Sequence, residues 1–158
     1  MKMLKIAVIA VAALTLLGFA GYHGYLYSLG LYATAPVYQT SRGALDGHDP
    51  VAYFKTGAPA AGRADLTHEW NGATWHFASE ENLAAFRNAP ESYAPQFGGY
   101  CAYAVANGYT AKTSPEAWHI ADGKLYLNFD LSVRETWRAK QAEFIAAGTK
   151  NWPGVIQD

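Results

Sequence analysis

The chain has 158 residues, of which 51% are hydrophobic and 16% are charged, and it contains a single cysteine. Twelve Lys and Arg residues stand against 13 Asp and Glu residues, for a formal net charge of -1, which argues against a general nucleic-acid binder. One cysteine excludes an intramolecular disulfide and any intrachain zinc site built on two or more thiolates.

The N-terminal segment is the most apolar part of the sequence. Lys2 and Lys5 precede an uncharged run from Ile6 to Tyr22. Because about 20 apolar residues span a bilayer core, the run predicts either a signal anchor or a cleaved signal peptide. In the second case Gly18 and Ala20 are the small residues before the cleavage site.

The residues after this run favour the anchor. They stay apolar as far as Tyr32, and their tyrosines resemble the aromatic belt at a membrane interface. The lysines should keep the N-terminus in the cytoplasm, which places the rest of the chain outside the inner membrane. We therefore predict a signal anchor or signal peptide at residues 1–32 and a tether at residues 33–44. Cleavage would release the protein into the periplasm.

Two hairpins are predicted from the turn residues that follow. Asn71-Gly72 separates Leu66–Trp70 from Ala73–Phe77, and Asp122-Gly123 separates Trp118–Ala121 from Lys124–Asn128. Both dipeptides tolerate the two positive φ angles of a type I′ turn.

Helices are predicted between and after the hairpins. Ser79 is a typical N-cap for a helix that runs to about Arg87, and Tyr100–Ala106 is a second, shorter helix. Ser132 and Glu135 form a capping box for a last helix that should end at Gly148. Local hairpins separated by helices predict an α+β fold with a small antiparallel sheet.

Several segments together resemble the YHS domain family. They are GHDPVAYF at 47–54, WHFASEENLAAF at 75–86, PESYAPQFGGYCAYAVANG at 90–108 and WHIADGKLYLN at 118–128. The resemblance is closest to the exported bacterial branch of the family. It covers nearly all of the predicted soluble part, which we assign as a YHS-like domain at residues 45–158.

The resemblance implies metal handling, yet the cysteines that carry it in classical YHS domains are missing. Those domains are similar to modules attached to copper and heavy-metal pumps. Their cysteines would align with Ala52, Ala78 and Asn82 of this chain. A metal site here must therefore use other residues.

The best candidate ligands are Cys101, His48 and Asp49. A thiolate and an imidazole suit both Cu(I) and Zn(II), and His48 lies beside Asp49 in the first motif. For each residue a structural role is the alternative, since a free cysteine is often a buried apolar residue. Asp49 could equally cap the turn at Pro50.

No catalytic motif is found, so the sequence favours a binding module over an enzyme. One hypothesis is a periplasmic module that handles copper or another soft metal. Its alternative is a metal-free accessory domain for a protein partner at the membrane or in the periplasm. A third hypothesis, a small-molecule enzyme, would use a pocket lined by Tyr53, Tyr100 and Asp49.

Overall fold

The computed structural model describes residues 35–156 of the chain. Within that range the protein is α+β, as predicted, with three two-stranded antiparallel sheets and six α-helices. No helix among these residues is long and apolar enough to cross a membrane. The predicted N-terminal signal anchor or signal peptide, residues 1–32, lies outside the described range.

The strands and helices alternate along the chain in short units. The strands are β1 (Gln39–Thr40), β2 (Gly43–Ala44), β3 (Arg63–Trp70), β4 (Ala73–Phe77), β5 (Trp118–Ala121) and β6 (Lys124–Leu127). The helices are α1 (Ala52–Lys55), α2 (Glu80–Asn88), α3 (Pro90–Tyr93), α4 (Ala102–Ala106), α5 (Leu131–Ala139) and α6 (Gln141–Asn151). Single 3-10 turns lie at Leu45–Gly47 and Gln96–Gly99.

Both predicted hairpins are confirmed at their predicted turns. Asn71 and Gly72 have φ angles of 51° and 75°, and Asp122 and Gly123 have φ angles of 49° and 72°. β3 pairs with β4 and β5 pairs with β6, each in antiparallel register across its turn. These residues adopt the left-handed backbone at low cost, so local chemistry is enough to fix both hairpins.

The C-terminal helical region differs from the prediction at three points. The single predicted helix is two helices, α5 and α6, separated at Lys140, whose φ of −134° and ψ of 39° are not helical. Asp130, and not Ser132, caps α5: its side chain accepts a 2.8 Å hydrogen bond from the Val133 N–H. The predicted stop at Gly148 lies inside α6. A Cβ on Gly148 would lie 2.6 Å from Cζ of Phe97, so this glycine provides space for an aromatic ring and does not end the helix.

The hydrophobic core consists of two clusters that share β6. The first core contains β3, β4 and α2 with Trp75, Phe77 and Phe86 among its buried residues. The second core contains Phe97, Tyr100 and Trp137. Side chains of a strand point alternately to opposite faces. Accordingly, the leucines of β6, Leu125 and Leu127, belong to the first core and Tyr126 belongs to the second.

Much of the predicted tether is packed against the domain. The Tyr38 N–H donates to the Gly98 carbonyl at 2.8 Å, and the Tyr100 hydroxyl donates to the Ala35 carbonyl at 3.0 Å. Burial raises the pKa of Tyr100 to about 12, so its hydroxyl keeps the proton that it donates. Gly98 has a φ of 60°, and a Cβ there would collide with the carbonyl oxygen of Pro36.

This packing follows from contacts that residues 35–44 make with distant parts of the chain. The segment itself shows no periodicity, and for that reason the sequence predicted a tether. β1 and β2 pair within it, and Val37 is only 3% exposed. The folded part of the chain therefore extends back to residue 35, three residues after the predicted membrane segment ends.

Candidate functional site

Asp49 lies at the centre of a buried hydrogen-bond network. Its side chain is fully buried, and its Oδ1 accepts a 2.8 Å hydrogen bond from the Val51 N–H. Its Oδ2 accepts from the Ala78 N–H at 2.8 Å and from Nδ2 of Asn82 at 2.6 Å. The carboxylate thus joins the turn before α1 to the first turn of α2. The predicted turn-capping role of Asp49 is present in this geometry.

The same network involves the positions at which the YHS resemblance places cysteines. Two of those positions, Ala78 and Asn82, donate directly to Asp49, and the third, Ala52, begins α1 one residue after Val51. Ala78 donates through its backbone N–H and Asn82 through its side-chain amide. In this chain N–H donors surround that carboxylate, and a cation would have to displace them.

The His48 ring contacts the turn that precedes it. Its Nδ1 lies 3.1 Å from the Leu45 carbonyl oxygen and 3.3 Å from the Asp46 carbonyl oxygen. Both partners are acceptors, so Nδ1 carries the proton and the lone pair is left on Nε2. His48 could therefore offer one imidazole nitrogen to a metal ion, although it shares no hydrogen bond with Asp49.

Cys101 lies at the start of α4 and is 1% exposed. Its Sγ is 3.8 Å from Oδ1 of Asn128, and its backbone pairs with Leu127 of β6. Burial raises the pKa of the Cys101 thiol, and nearby backbone groups oppose this shift only in part. A metal ligand must be the thiolate, so burial works against metal binding at this position.

The structure does not bring the predicted ligands into one cluster of three. Between residues 35 and 156, no group of three or more His, Cys, Asp or Glu side chains is placed to hold a metal ion. His48 and Asp49 lie in the turn before α1, whereas Cys101 packs beside β6. A two-ligand site at Cys101 and His48 stays a prediction.

Two tyrosines of the predicted enzyme pocket have structural partners. Tyr53 is 1% exposed, and its hydroxyl donates to the Pro115 carbonyl at 3.2 Å. Burial raises the pKa of Tyr53, so the hydroxyl remains protonated at neutral pH. Tyr100 donates to the Ala35 carbonyl, as described above. Each of these hydroxyls is thus engaged with a backbone carbonyl.

A cleft of about 490 Å³ opens along the boundary between the two cores. Trp70 and Ala94 of the first-core side face Tyr126, Ile145 and Trp152 of the second-core side. Pro36, from the segment packed against Gly98, forms part of the wall. A cleft of this size with aromatic walls is typical of small-molecule binding sites.

The cleft was not predicted from the sequence because its walls come from segments far apart in the chain. The sequence offers one signal, the aromatic-proline pair Trp152-Pro153 after the last predicted helix, and in the structure this pair packs back onto the core. The Trp152 ring centroid lies 6.2 Å from that of Phe97 and 6.0 Å from that of Tyr100. Because the C-terminal segment folds back in this way, Trp152 packs against Phe97 and Tyr100 and forms part of the cleft wall.

Comparison with protein families identifies one domain. Residues 51–97 match the YHS domain family, whereas searches of curated proteins and of solved structures found no match. The matched segment contains Ala52, Ala78 and Asn82, but His48, Asp49 and Cys101 lie outside it. By this match, residues 51–97 of the chain belong to the YHS domain family.

Proposed function

We propose that the chain is a YHS-type binding module that works without a bound metal. The observation that carries the proposal is the closed network around Asp49, whose two oxygens accept three hydrogen bonds. In this network Ala78 and Asn82, at the positions of family cysteines, hold a carboxylate by N–H donors. Those donors are complementary to an anion and not to a cation.

The remaining thiol supports the same proposal. Cys101 is 1% exposed and its pKa is raised by burial, so the thiolate that Cu(I) or Zn(II) needs is disfavoured. Metal handling, with copper favoured, is what the family resemblance implies. Metal handling would require Cys101 and His48 to hold the ion. Binding of a metal by these two residues would overturn the proposal.

Anaerobic titration of the full chain with Cu(I) against a competing chelator tests the proposal. We expect the chelator to retain the copper, and Cys101→Ser to behave like the wild-type chain. One Cu(I) per chain held by the wild type and lost in Cys101→Ser would establish a thiolate site and overturn the proposal. A metal that binds the folded state would also raise the melting temperature with concentration, which we do not expect here.

We further propose that the N-terminal segment anchors the module in the inner membrane with the domain in the periplasm. Support comes from the two lysines before the apolar run Ile6–Tyr22. Packing against the domain is already present at residue 35, where Ala35 accepts a hydrogen bond from Tyr100. An anchored domain would therefore be held within a few residues of the membrane surface.

Protease accessibility in spheroplasts tests the location. With an epitope at the C-terminus of the full chain, we expect added protease to remove the epitope from intact spheroplasts. We expect the untreated chain to stay in the membrane pellet after carbonate extraction. Protection of the epitope until lysis would contradict the periplasmic location. Release by osmotic shock would contradict the anchor and support cleavage.

A further inference from the structure

We propose that the cleft between the two cores binds a small, uncharged molecule with a planar ring. The proposal goes beyond the proposed function and rests on it only in taking binding to be independent of metal. About 490 Å³ is enough for a molecule of several rings but small for a folded partner. The size of the cleft therefore favours a small molecule.

The walls of the cleft are aromatic and are held in place by other rings. The Trp70 ring centroid lies 5.9 Å from that of Trp75, and Nε1 of Trp75 donates to the Trp70 carbonyl at 3.0 Å. On the opposite wall, the Phe97 ring centroid is 5.8 Å from that of Tyr126 and 6.2 Å from that of Trp152. Because the rings are already positioned, a planar ligand would stack without paying to order them.

The charges at the cleft indicate a ligand without net charge. Glu91 and Lys124 both line it, and neither takes part in an ion pair among residues 35–156. One acid and one base give neither an anion nor a cation a net attraction. The uncharged polar side chains that also line the cleft, Asn71, Gln96 and Thr149, can donate and accept hydrogen bonds.

The cleft depends on parts of the chain outside the YHS match. Trp70 and Glu91 lie within residues 51–97, whereas Tyr126, Ile145 and Trp152 lie in the later part of the chain. Apart from Phe97, at the end of the match, the opposing wall is thus supplied by α6, the second hairpin and the C-terminal tail. Ligand choice at this site would depend largely on these later segments.

Binding of indole to the full, detergent-solubilised chain in the presence of chelator tests the proposal. Indole is planar and neutral, and the tryptophan Nε1–H signals of the ¹⁵N-labelled protein provide the readout. We expect saturable shifts of the Trp70 and Trp152 signals, which line the cleft. The signals of Trp118 and Trp137, outside the cleft lining, should not move. No shift, or equal shifts at all of these signals, would overturn the proposal.

Two matched substitutions separate the cleft from the rest of the surface. Thr149 and Thr136 are both exposed helical threonines whose hydroxyls donate to the carbonyl four residues earlier, to Ile145 and Ser132. Only Thr149 lines the cleft. Filling it by Thr149→Phe should weaken indole binding at least about tenfold, whereas Thr136→Phe should change it by less than about twofold. Equal effects of the two substitutions would overturn the assignment.

Charged analogues and a peptide complete the experiment. Tryptamine and indole-3-acetate should bind no more tightly than indole, and tighter binding of either by tenfold would overturn the neutral-ligand proposal. If a proline-rich peptide shifts the Trp70 and Trp152 signals and indole does not, the cleft binds a protein partner and the small-molecule proposal is overturned. Shifts that require added metal would overturn the proposed function and leave the cleft assignment intact.

Discussion

Replacement of Asp49 by alanine is expected to cost about 3–5 kcal/mol of the free energy of unfolding. The side chain is fully buried, and its loss would leave three N–H donors, from Val51, Ala78 and Asn82, without their acceptor. Each buried donor without a partner is destabilising, because water that could replace the carboxylate is excluded. Urea unfolding followed by tryptophan fluorescence measures the change from the midpoint at constant slope.

Asp49→Asn distinguishes the role of charge from that of shape. The amide keeps one acceptor oxygen but turns an NH₂ group toward either the Val51 N–H or the donors on α2. It should therefore destabilise the chain clearly, though less than alanine does. Asp65→Ala is the control, because Asp65 is exposed and its ion-pair partner among residues 35–156 is the exposed Arg63, so the midpoint should not move.

The result bears directly on the proposed function. If Asp49→Ala unfolds within about 1 kcal/mol of the wild type, the carboxylate is not held by its N–H donors as a structural group. The space at the family cysteine positions would then be available for a ligand, and the argument against a metal there would lose its basis. A large loss of stability supports a structural role for the Asp49 network, as the proposed function requires.

Features that depend on neighbouring residues were predicted well from the sequence. The Asn71-Gly72 and Asp122-Gly123 turns form where predicted because each dipeptide itself favours positive φ. Ser79 caps α2 because its hydroxyl reaches the Asn82 N–H within the same turn, at 3.2 Å. Such contacts form between residues within about five positions of each other, so the local sequence is enough to predict them.

Features that depend on distant packing were not predicted. One local feature was missed as well: the sequence pattern at Ser132 and Glu135 is a valid capping box, but Asp130 caps the helix two residues earlier. Gly148 continues α6 because Phe97, far away in the chain, occupies the space that a side chain would need. The segment at residues 35–38 lacks periodicity because it packs through backbone contacts to Gly98 and Tyr100.

The candidate site, too, could be predicted from the sequence only in part. The loss of the family cysteines at Ala52, Ala78 and Asn82 could be seen in the sequence, since the motifs around them are intact. That the Asn82 side chain, at one of these positions, bonds to Asp49 required the fold, which brings the turn before α1 to the start of α2. The cleft could not be predicted without the fold either, because no single motif contains both of its walls.

Phe86→Ala is expected to destabilise the chain by about 3–5 kcal/mol, because it opens a cavity at the centre of the first core. Phe86 is fully buried, and its ring centroid lies 5.1, 5.2 and 5.7 Å from those of Trp75, Phe77 and Trp70. These rings come from both strands of the first hairpin, so Phe86 joins α2 to β3 and β4. Urea unfolding of the full chain measures the loss.

Phe129→Ala provides the matched control, since the same side chain is removed from an exposed position. Phe129 is 42% exposed, and its described ring contact is with the Lys112 ammonium group, 5.3 Å from the ring centre. Its loss should cost no more than about 1 kcal/mol. Equal costs at Phe86 and Phe129 would contradict the assignment of the first core. Because Phe86 also supports Trp70, Phe86→Leu should weaken indole binding at the cleft even where the chain remains folded, whereas Phe129→Leu should leave binding unchanged.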